Sequence, residues 1–393
     1  MKLKELKREI IEKKEIYTLI ILLGIGNIGF SLFSAFRSFN LIFFISKFTT
    51  SKTQIGIIMS IIGFAGMIVP PLIGLLSDRM IKVLKGRKYI VIFSLIFLVL
   101  ALLRFERSKS LKDLYINTFL ISTFFFSGFA PFQSLVPDLI PKNFFAKATG
   151  ILNFSSYLVQ GIYIILILFL HTDFIKFLLI YLGIILSLLF LLLIPEEAKE
   201  YKKDVMDLNY FRGGIWVKLF ALQWLIWYSI SSISSFILLF FQDALFASIK
   251  DYIIALGIFG ILSWISTIPI GFIADRYSKE KLSAIGLALL AISSVLFSQT
   301  YRLIHIYPPL ILYGISLSLL SIVPYSLLLS YIPKEKAGSF VGLNNLIISF
   351  SQIISYFLSG LIIDYGSYRI NFLQGAVASI IALLVLRRIN NSS

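Results

Sequence analysis

Long apolar stretches separated by short polar segments dominate the pattern of the chain. A helix needs about 20 apolar residues to cross the hydrocarbon core of a membrane. On that basis the pattern predicts an all-α membrane protein with twelve transmembrane helices. The predicted spans are residues 17–45, 54–76, 89–103, 114–136, 148–170, 174–194, 217–241, 252–273, 282–301, 307–329, 338–362 and 370–386.

An internal repeat divides these spans into two sets of six. Residues 140–160 (IPKNFFAKATGILNFSSYLVQ) align without a gap on residues 332–352 (IPKEKAGSFVGLNNLIISFSQ), at an offset of 192. Both copies enter the membrane from the same side, so the repeats are parallel and are predicted to surround a central cavity. The predicted domains are an N-terminal six-helix half (1–194), a cytoplasmic linker (195–216) and a C-terminal six-helix half (217–393).

Composition agrees with a membrane protein and adds an orientation. Hydrophobic residues make up 58% of the chain and charged residues 14%, whereas soluble domains are nearer half apolar and a quarter charged. Of the 36 Lys and Arg residues, 25 lie on the side of the N-terminus. The positive-inside rule therefore places both termini in the cytoplasm, and we expect a multi-pass protein of the plasma membrane, in contact with the lipid bilayer.

The distribution of charge and the scarcity of Cys and His argue against a nucleic-acid-binding protein and against a metalloprotein. The net charge is +16, but the basic residues form no dense arm, so nucleic-acid binding is not expected. There is no cysteine, and the two histidines are far apart in the sequence, so neither a disulfide nor a metal centre is predicted.

One polar segment, residues 74–88 (GLLSDRMIKVLKGRK), carries a motif, and a weaker copy (GFIADRYSKEK) recurs at 271–281. The segment resembles the loop between the second and third spans of major facilitator superfamily transporters. Six residues inserted between SDR and GRK, together with SLVPDLIPKNFFAKATG at 134–150, are more similar to the sucrose and glycoside-pentoside-hexuronide symporter branch. The residues that carry the superfamily resemblance are Gly74, Asp78, Arg79, Gly86, Arg87 and Lys88.

The resemblance implies that these loops latch one state of a rocking transporter. Asp78 can accept charge-assisted hydrogen bonds from a neighbouring Arg and interact with a helix N-terminus. We therefore predict a conformational latch at the residues above and at Asp275 and Arg276 in the copy, with Asp78 acting more strongly because the copy lacks Gly-Arg-Lys. The alternative is that these charges only set the topology.

Arg37 is the only charged side chain predicted to lie inside a span away from its ends. A buried charge is costly, so Arg37 is a candidate to grip a carboxylate, a phosphate or a sugar hydroxyl of a substrate. Snorkelling to the surface and a structural bond to backbone carbonyls are the alternatives. No carboxylate occupies a helix centre, which weighs against proton or sodium coupling and favours facilitated diffusion or exchange.

Neutral polar and aromatic side chains form the other candidate substrate contacts. Asn153 and Gln160 share one face of the fifth span, and Asn345 and Gln352 recur at equivalent positions in the eleventh. Their amides suit hydroxyl-rich ligands, although hydrogen bonds between helices, worth about 0.6 kcal/mol, explain such residues equally well. Trp227 in the seventh span is a further candidate, because aromatic rings stack on sugar faces.

These observations predict a secondary active or facilitative transporter that moves a small polar solute, a sugar or a related organic anion, by alternating access. There is no GxxxxGK loop, no HExxH motif and no Ser-His-Asp arrangement, so neither ATP-driven transport nor an enzyme is expected. We expect no cofactor, a small-molecule substrate and a monomer. Efflux of amphipathic compounds, or a non-transporting receptor or assembly factor on the same scaffold, are the alternatives.

Overall fold

The computed structural model describes residues 2–84, 87–141, 144–169, 173–195, 213–330 and 337–390. All regular structure in these ranges is helical, which confirms the predicted fold class. Each predicted span coincides with one helix or with a chain of shorter helices. Within the described residues, ten stretches are long and apolar enough to cross a membrane, and Ile151–Leu166 is a shorter apolar segment.

The helices fall into two compact units, which comprise residues 1–44 with 68–202 and residues 45–67 with 203–393. The predicted linker lies mostly outside the described residues. One helix, α4, contributes its first part to the second unit and its remainder to the first. The helices of the N-terminal part of the chain are α1 (Lys2–Gly26), α2 (Ile28–Phe39), α3 (Leu41–Ser46), α4 (Lys52–Leu84), α5 (Lys88–Glu106), α6 (Leu111–Leu139), α7 (Phe145–Phe169) and α8 (Asp173–Leu193).

In the first unit, α2 packs against α7 and α8, and α5 packs against α6. Aromatic rings fill the space between these helices. Phe33 lies 4.9 Å from Phe125, and Phe36 lies 5.0 Å from Phe177, measured between ring centroids. Such pairs add about 0.5–1.5 kcal/mol each to the energy of burial, so part of the high Phe content lies in this core as well as on the lipid-facing surface.

In the second unit, α9 packs against α14 and α15, and α12 packs against α13 and α15. Small hydroxyl side chains join these helices: Ser229 Oγ donates to the carbonyl of Gly375 at 2.7 Å. The helices of this part are α9 (Gly214–Ser234), α10 (Ile237–Asp243), α11 (Ile249–Arg276), α12 (Lys279–Ser298), α13 (Tyr307–Ser330), α14 (Ala337–Tyr365) and α15 (Tyr368–Asn390), with a 3-10 turn at Leu303–Ile306.

The structure differs from the predicted spans in two respects. The first span is three helices, interrupted at Asn27 and Asn40, and the seventh is two, interrupted at Ser235 and Phe236. Helix α4 also continues to Leu84, so most of the predicted loop at 74–88 is helical. Hydropathy marks where a helix leaves the membrane, but polar residues such as Lys and Arg are good helix formers and extend it further.

Candidate functional site

A polar cluster lies in the first unit where the first span is interrupted. The amide Nδ2 of Asn27 donates to Ser156 Oγ at 2.7 Å, and Ser31 Oγ lies 2.9 Å from the same oxygen. Asn27 is 6% exposed, and its Oδ1 has no hydrogen-bond partner among the described residues. A buried acceptor without a donor costs about 1–3 kcal/mol, so a hydroxyl or amide donor of a ligand would be stabilised here.

The predicted polar face of the fifth span is only partly joined to this cluster. Ser156 belongs to that face and contacts Asn27 directly. Gln160 lies one turn further along α7 and is half-buried, whereas Asn153 is exposed. Asn27 and Ser31 are four residues apart in the first predicted span, which places them on one face of a helix, but this spacing does not show that the helix is interrupted at Asn27.

Arg37 lies in α2, and its guanidinium carbon is 5.4 Å from the ring centroid of Phe125 and 5.8 Å from that of Phe126. These distances fit cation–π contacts. Asn27 is ten residues away in the sequence, a rise of about 15 Å along a helix. The structure therefore does not bring the two residues together.

The candidates in the second unit differ in how far they are exposed. Trp227 and Gln352 are half-buried, and Asn345 is exposed. A network that we did not predict lies beside them: Tyr228 donates to Gln374 Oε1 at 2.6 Å, and Gln374 Nε2 donates to Ser359 Oγ at 2.9 Å.

The Trp224 ring stacks on Tyr228 in that network, with centroids 5.1 Å apart. Its Nε1 is buried and has no partner among the described residues. The spacing of Trp224 and Tyr228, four residues apart on one helix, is the signal that could have revealed this pair.

At the GRK end of the predicted latch, two residues are engaged within the first unit. Arg87 Nε lies 3.0 Å from Asp138 Oδ2, and both side chains are buried. Lys88 Nζ donates to the carbonyl of Ile194 at 2.6 Å. These contacts tie the start of α5 to the ends of α6 and α8, and the sequence did not predict the partnership with Asp138.

The other predicted latch residues are only partly described. Gly74 lies within α4, and Gly86 lies outside the described residues. The remaining ones have helical backbones, and their side chains lie outside the description: Asp78, Arg79, Asp275 and Arg276. Their latch role stays a prediction.

A second polar contact joins α4 and α14 at the other end of α4, within the second unit. The carboxylate of Asp364 accepts hydrogen bonds from the backbone N–H of Lys52 at 2.7 Å and of Thr53 at 2.8 Å. It also accepts one from Ser51 Oγ at 2.6 Å. Asp364 thus caps a helix more than 300 residues away in the sequence, so we call this arrangement the α4–α14 clasp.

An ion pair and two glycines complete the clasp. Lys52 Nζ lies 2.7 Å from Asp243 Oδ2, which also accepts from the Tyr368 hydroxyl at 2.6 Å. A Cβ on Gly56 would collide with the carbonyl oxygen of Tyr356, and a Cβ on Gly360 with that of Lys52. Glycine is therefore required at both positions for the two backbones to approach so closely.

Among the described residues, no group of three or more His, Asp or Glu side chains lies close enough together to hold a metal ion. The polar groups brought together are amides, hydroxyls and isolated ion pairs, which can bind and orient a solute.

A comparison with known protein families identifies the family to which this chain is similar. The model of the Major Facilitator Superfamily matches residues 19–244 and 219–392. No curated protein matches the sequence.

Two kinds of solved structure share the fold. The nucleoside transporter NupG is 13% identical with a TM-score of 0.76, covering 94% of this chain and 98% of that one. A bacterial homolog of the human lysosomal transporter Spinster, in an inward-facing and occupied conformation, is 13% identical with a TM-score of 0.75 and covers 97% of each chain. At this identity the likeness shows the fold alone, and the match to the sucrose and glycoside branch stays a prediction. The family model, however, spans nearly the whole chain, so this protein belongs to the Major Facilitator Superfamily and is a membrane transporter rather than an enzyme.

Proposed function

We propose that the protein moves a small polar solute, a sugar or a related organic anion, across the plasma membrane by alternating access. The observation that carries the proposal is the cluster of Asn27, Ser31 and Ser156, with its buried and unpartnered Oδ1. An amide oxygen and two hydroxyls are neutral and can exchange hydrogen bonds with a sugar hydroxyl without the cost of a buried charge. Transporters of this superfamily hold their substrate near the bilayer midplane.

Uptake into proteoliposomes tests the proposal. The panel contains sugars, organic acids and amphipathic drugs. It also contains nucleosides, because the similar structure NupG is a nucleoside transporter. We expect flux of at least one sugar or organic acid. Flux of amphipathic drugs alone would support the efflux alternative, and ligand binding without any flux would support a receptor.

Variants of the cluster link the flux to the site. Asn27→Ala and Ser156→Ala should each raise the Kd of the transported solute about tenfold, the equivalent of one hydrogen bond of about 1.4 kcal/mol. Ser134→Ala is the matched control, because among the described residues Ser134 Oγ donates only to the carbonyl of Ala130 in its own helix. Unchanged affinity in the cluster variants, combined with a lower Tm, would make the cluster structural.

The same measurement separates the remaining binding candidates. Gln160→Ala and Gln352→Ala should each weaken binding if the two half-buried amides contact the solute. Arg37→Gln should abolish transport of an organic anion but leave that of a neutral sugar intact, since only the anion gains from a guanidinium. Equal loss for both solutes would instead assign Arg37 to packing against Phe125.

Alternating access finds support in the way α4 is shared between the units. Its residues up to 67 pack in the second unit, although by sequence they belong to the predicted first half. The α4–α14 clasp therefore joins the two predicted halves through polar contacts. Such contacts can break and re-form as the populations of two states shift.

We further propose that both termini are cytoplasmic, that the protein works as a monomer and that no cation is coupled to transport. The basic-residue asymmetry supports the first point. The absence of a carboxylate at the predicted helix centres supports the last.

A further inference from the structure

A cavity of about 430 Å³ lies in the first unit at the turn between α5 and α6. Leu100 and Leu103 form an apolar side, and Arg104, Arg107 and Lys109 form a basic one, with Asn117 of α6 also contributing to the lining. The residues come from the end of one predicted span and the start of the next. The cavity therefore lies at the level where membrane and water meet.

The side chains that line this cavity carry a net positive charge. The basic side chains of Arg104, Arg107 and Lys109 are exposed and form no ion pair or hydrogen bond with any described residue. The single carboxylate in the lining, Asp113, is already engaged, because it accepts from the backbone N–H groups of Lys109 at 3.2 Å and Ser110 at 3.1 Å. Three cations facing one occupied carboxylate favour an anionic ligand.

Asn117 adds a directional group to the charge. It is 2% exposed, and its Nδ2 donates to the carbonyl of Arg104 at 3.3 Å and to Ser108 Oγ at 2.9 Å. Because a carbonyl can only accept, these bonds fix which end of the amide is the nitrogen. The opposite atom, Oδ1, is buried without a partner among the described residues. Asn117 belongs to the lining of the cavity, and an acceptor without a donor is stabilised by a hydroxyl that reaches it.

The surface that leads to the cavity is apolar. Phe93, Ile96, Phe97 and Leu100 are all exposed and recur at i, i+3, i+4 and i+7 along α5. This spacing places them in one stripe on the helix. The stripe ends at Arg104, four residues after Leu100. An acyl chain lying along the stripe would bring its headgroup to the basic side of the cavity.

We propose that this cavity binds the headgroup of an anionic glycerophospholipid that also carries hydroxyl donors, the chemistry of phosphatidylglycerol. The phosphate contacts Arg104 and Arg107, a headgroup hydroxyl donates to Asn117 Oδ1, and an acyl chain covers the α5 stripe. Basic side chains at a membrane surface attract anionic headgroups within about a Debye length. The stripe is the reason for choosing a lipid over a soluble phosphate.

Native mass spectrometry of the full chain in detergent tests the proposal, with dioleoyl phosphatidylglycerol as the titrated lipid. Phosphatidylcholine and phosphatidylethanolamine with the same acyl chains are the zwitterionic comparisons. Glycerol 3-phosphate and inorganic phosphate are the soluble ones. We expect phosphatidylglycerol to bind at least tenfold more tightly than either zwitterionic lipid, and the soluble phosphates to bind more weakly still because they leave the stripe uncovered.

Two variants locate the site. The double variant Arg104→Gln with Arg107→Gln should weaken phosphatidylglycerol about tenfold, because two charge-assisted contacts are lost from partly solvated positions. Lys112→Gln is the matched control, since Lys112 is exposed on the same turn but does not line the cavity. Asn117→Leu should reduce the preference for phosphatidylglycerol over phosphatidic acid, which has no headgroup hydroxyl of this kind.

The proposal is overturned if the double variant binds phosphatidylglycerol as tightly as the parent, or if Lys112→Gln weakens it equally. Equal affinity for phosphatidylcholine would also overturn it, because the site would then not select charge. Glycerol 3-phosphate binding as tightly as the lipid would assign the cavity to a soluble phosphate instead. Far-ultraviolet circular dichroism of each variant shows whether it is folded before its affinity is interpreted.

Discussion

Asp364 provides the sharpest test of the α4–α14 clasp, because a single carboxylate holds the first turn of a helix from another part of the chain. Its Oδ1 accepts from the N–H of Lys52, while its Oδ2 accepts from Ser51 and Thr53. Asp364→Asn keeps one oxygen but replaces the other with an amide nitrogen. The nitrogen faces a backbone donor, so at least one of the three bonds is lost together with the negative charge.

The size of the effect follows from these contacts. Removing a helix cap costs about 1 kcal/mol. The loss of a charge at a helix N-terminus adds about 0.3–1 kcal/mol, less in salt because Asp364 is exposed. A total of about 1.4 kcal/mol corresponds to a tenfold rise in the population in which the clasp is open.

Thiol labelling measures that population. The chain has no cysteine, so Ser60→Cys introduces the only thiol. It replaces a half-buried hydroxyl that bonds to Ile353 of α14 at 2.9 Å. Labelling by a membrane-impermeant maleimide should be about tenfold faster when Asp364→Asn is added, provided that the clasp closes faster than the thiol reacts.

Asp251 supplies the matched control. It caps the start of α11 by accepting from the N–H of Ser248, three residues before it, at 3.0 Å. Asp251→Asn should therefore lower the Tm slightly and leave the labelling of the thiol at position 60 unchanged. The reasoning is refuted if Asp364→Asn changes the labelling rate less than twofold, or if both variants accelerate it equally.

Three further predictions address the glycine contact, the buried ion pair and the coupling. Gly360→Ala should accelerate the same labelling because its Cβ would collide with the Lys52 carbonyl, whereas Gly257→Ala, with open space around its Cβ, should not; equal effects would contradict the close approach. Arg87→Gln should lower the free energy of unfolding by about 3–5 kcal/mol by removing the cation that lies beside the buried Asp138 carboxylate. Adding Asp138→Asn should recover part of that loss in denaturant titrations, and strictly additive losses would argue against the pair. Uptake in proteoliposomes should vary less than twofold with external pH and sodium, and a steep dependence on either would show that a cation is coupled.

The architecture could be predicted from the sequence because hydropathy acts over whole spans. Twenty apolar residues in a row have few alternatives to a membrane helix, so the order of helices follows from the pattern. The interruptions at Asn27 and at Phe236 could not be predicted from the pattern. The N–H of Ser31 still donates to the carbonyl of Asn27, and that of Phe240 to the carbonyl of Phe236, so each interruption is only a small change in the backbone. Local propensity carries no strong signal for so small a change.

The site was harder to predict than the fold for a related reason. Polar residues within the spans could be identified one by one, but their partners lie far away in the sequence. Ser156 is 129 positions from Asn27, and Tyr228 is 146 from Gln374. Such pairings depend on helix rotation and on which helices are neighbours, neither of which a single sequence specifies. Asp364 lies at the end of α14, and nothing in the sequence around it points to Ser51.

The repeat explains why that clasp exists at only one of two equivalent helix starts. Helices α4 and α11 correspond to the second predicted span of each half, and both begin directly after a serine. In α11 the third residue of the helix is Asp251, which caps its own N-terminus locally. In α4 the same position is Gln54, which is neutral and whose Oε1 accepts from Thr49. The positive end of α4 therefore remains available for an anion, and Asp364 of α14 provides it. A local cap makes a helix start independent of its neighbours, whereas a distant cap makes it depend on the position of another helix, which is what a conformational contact requires.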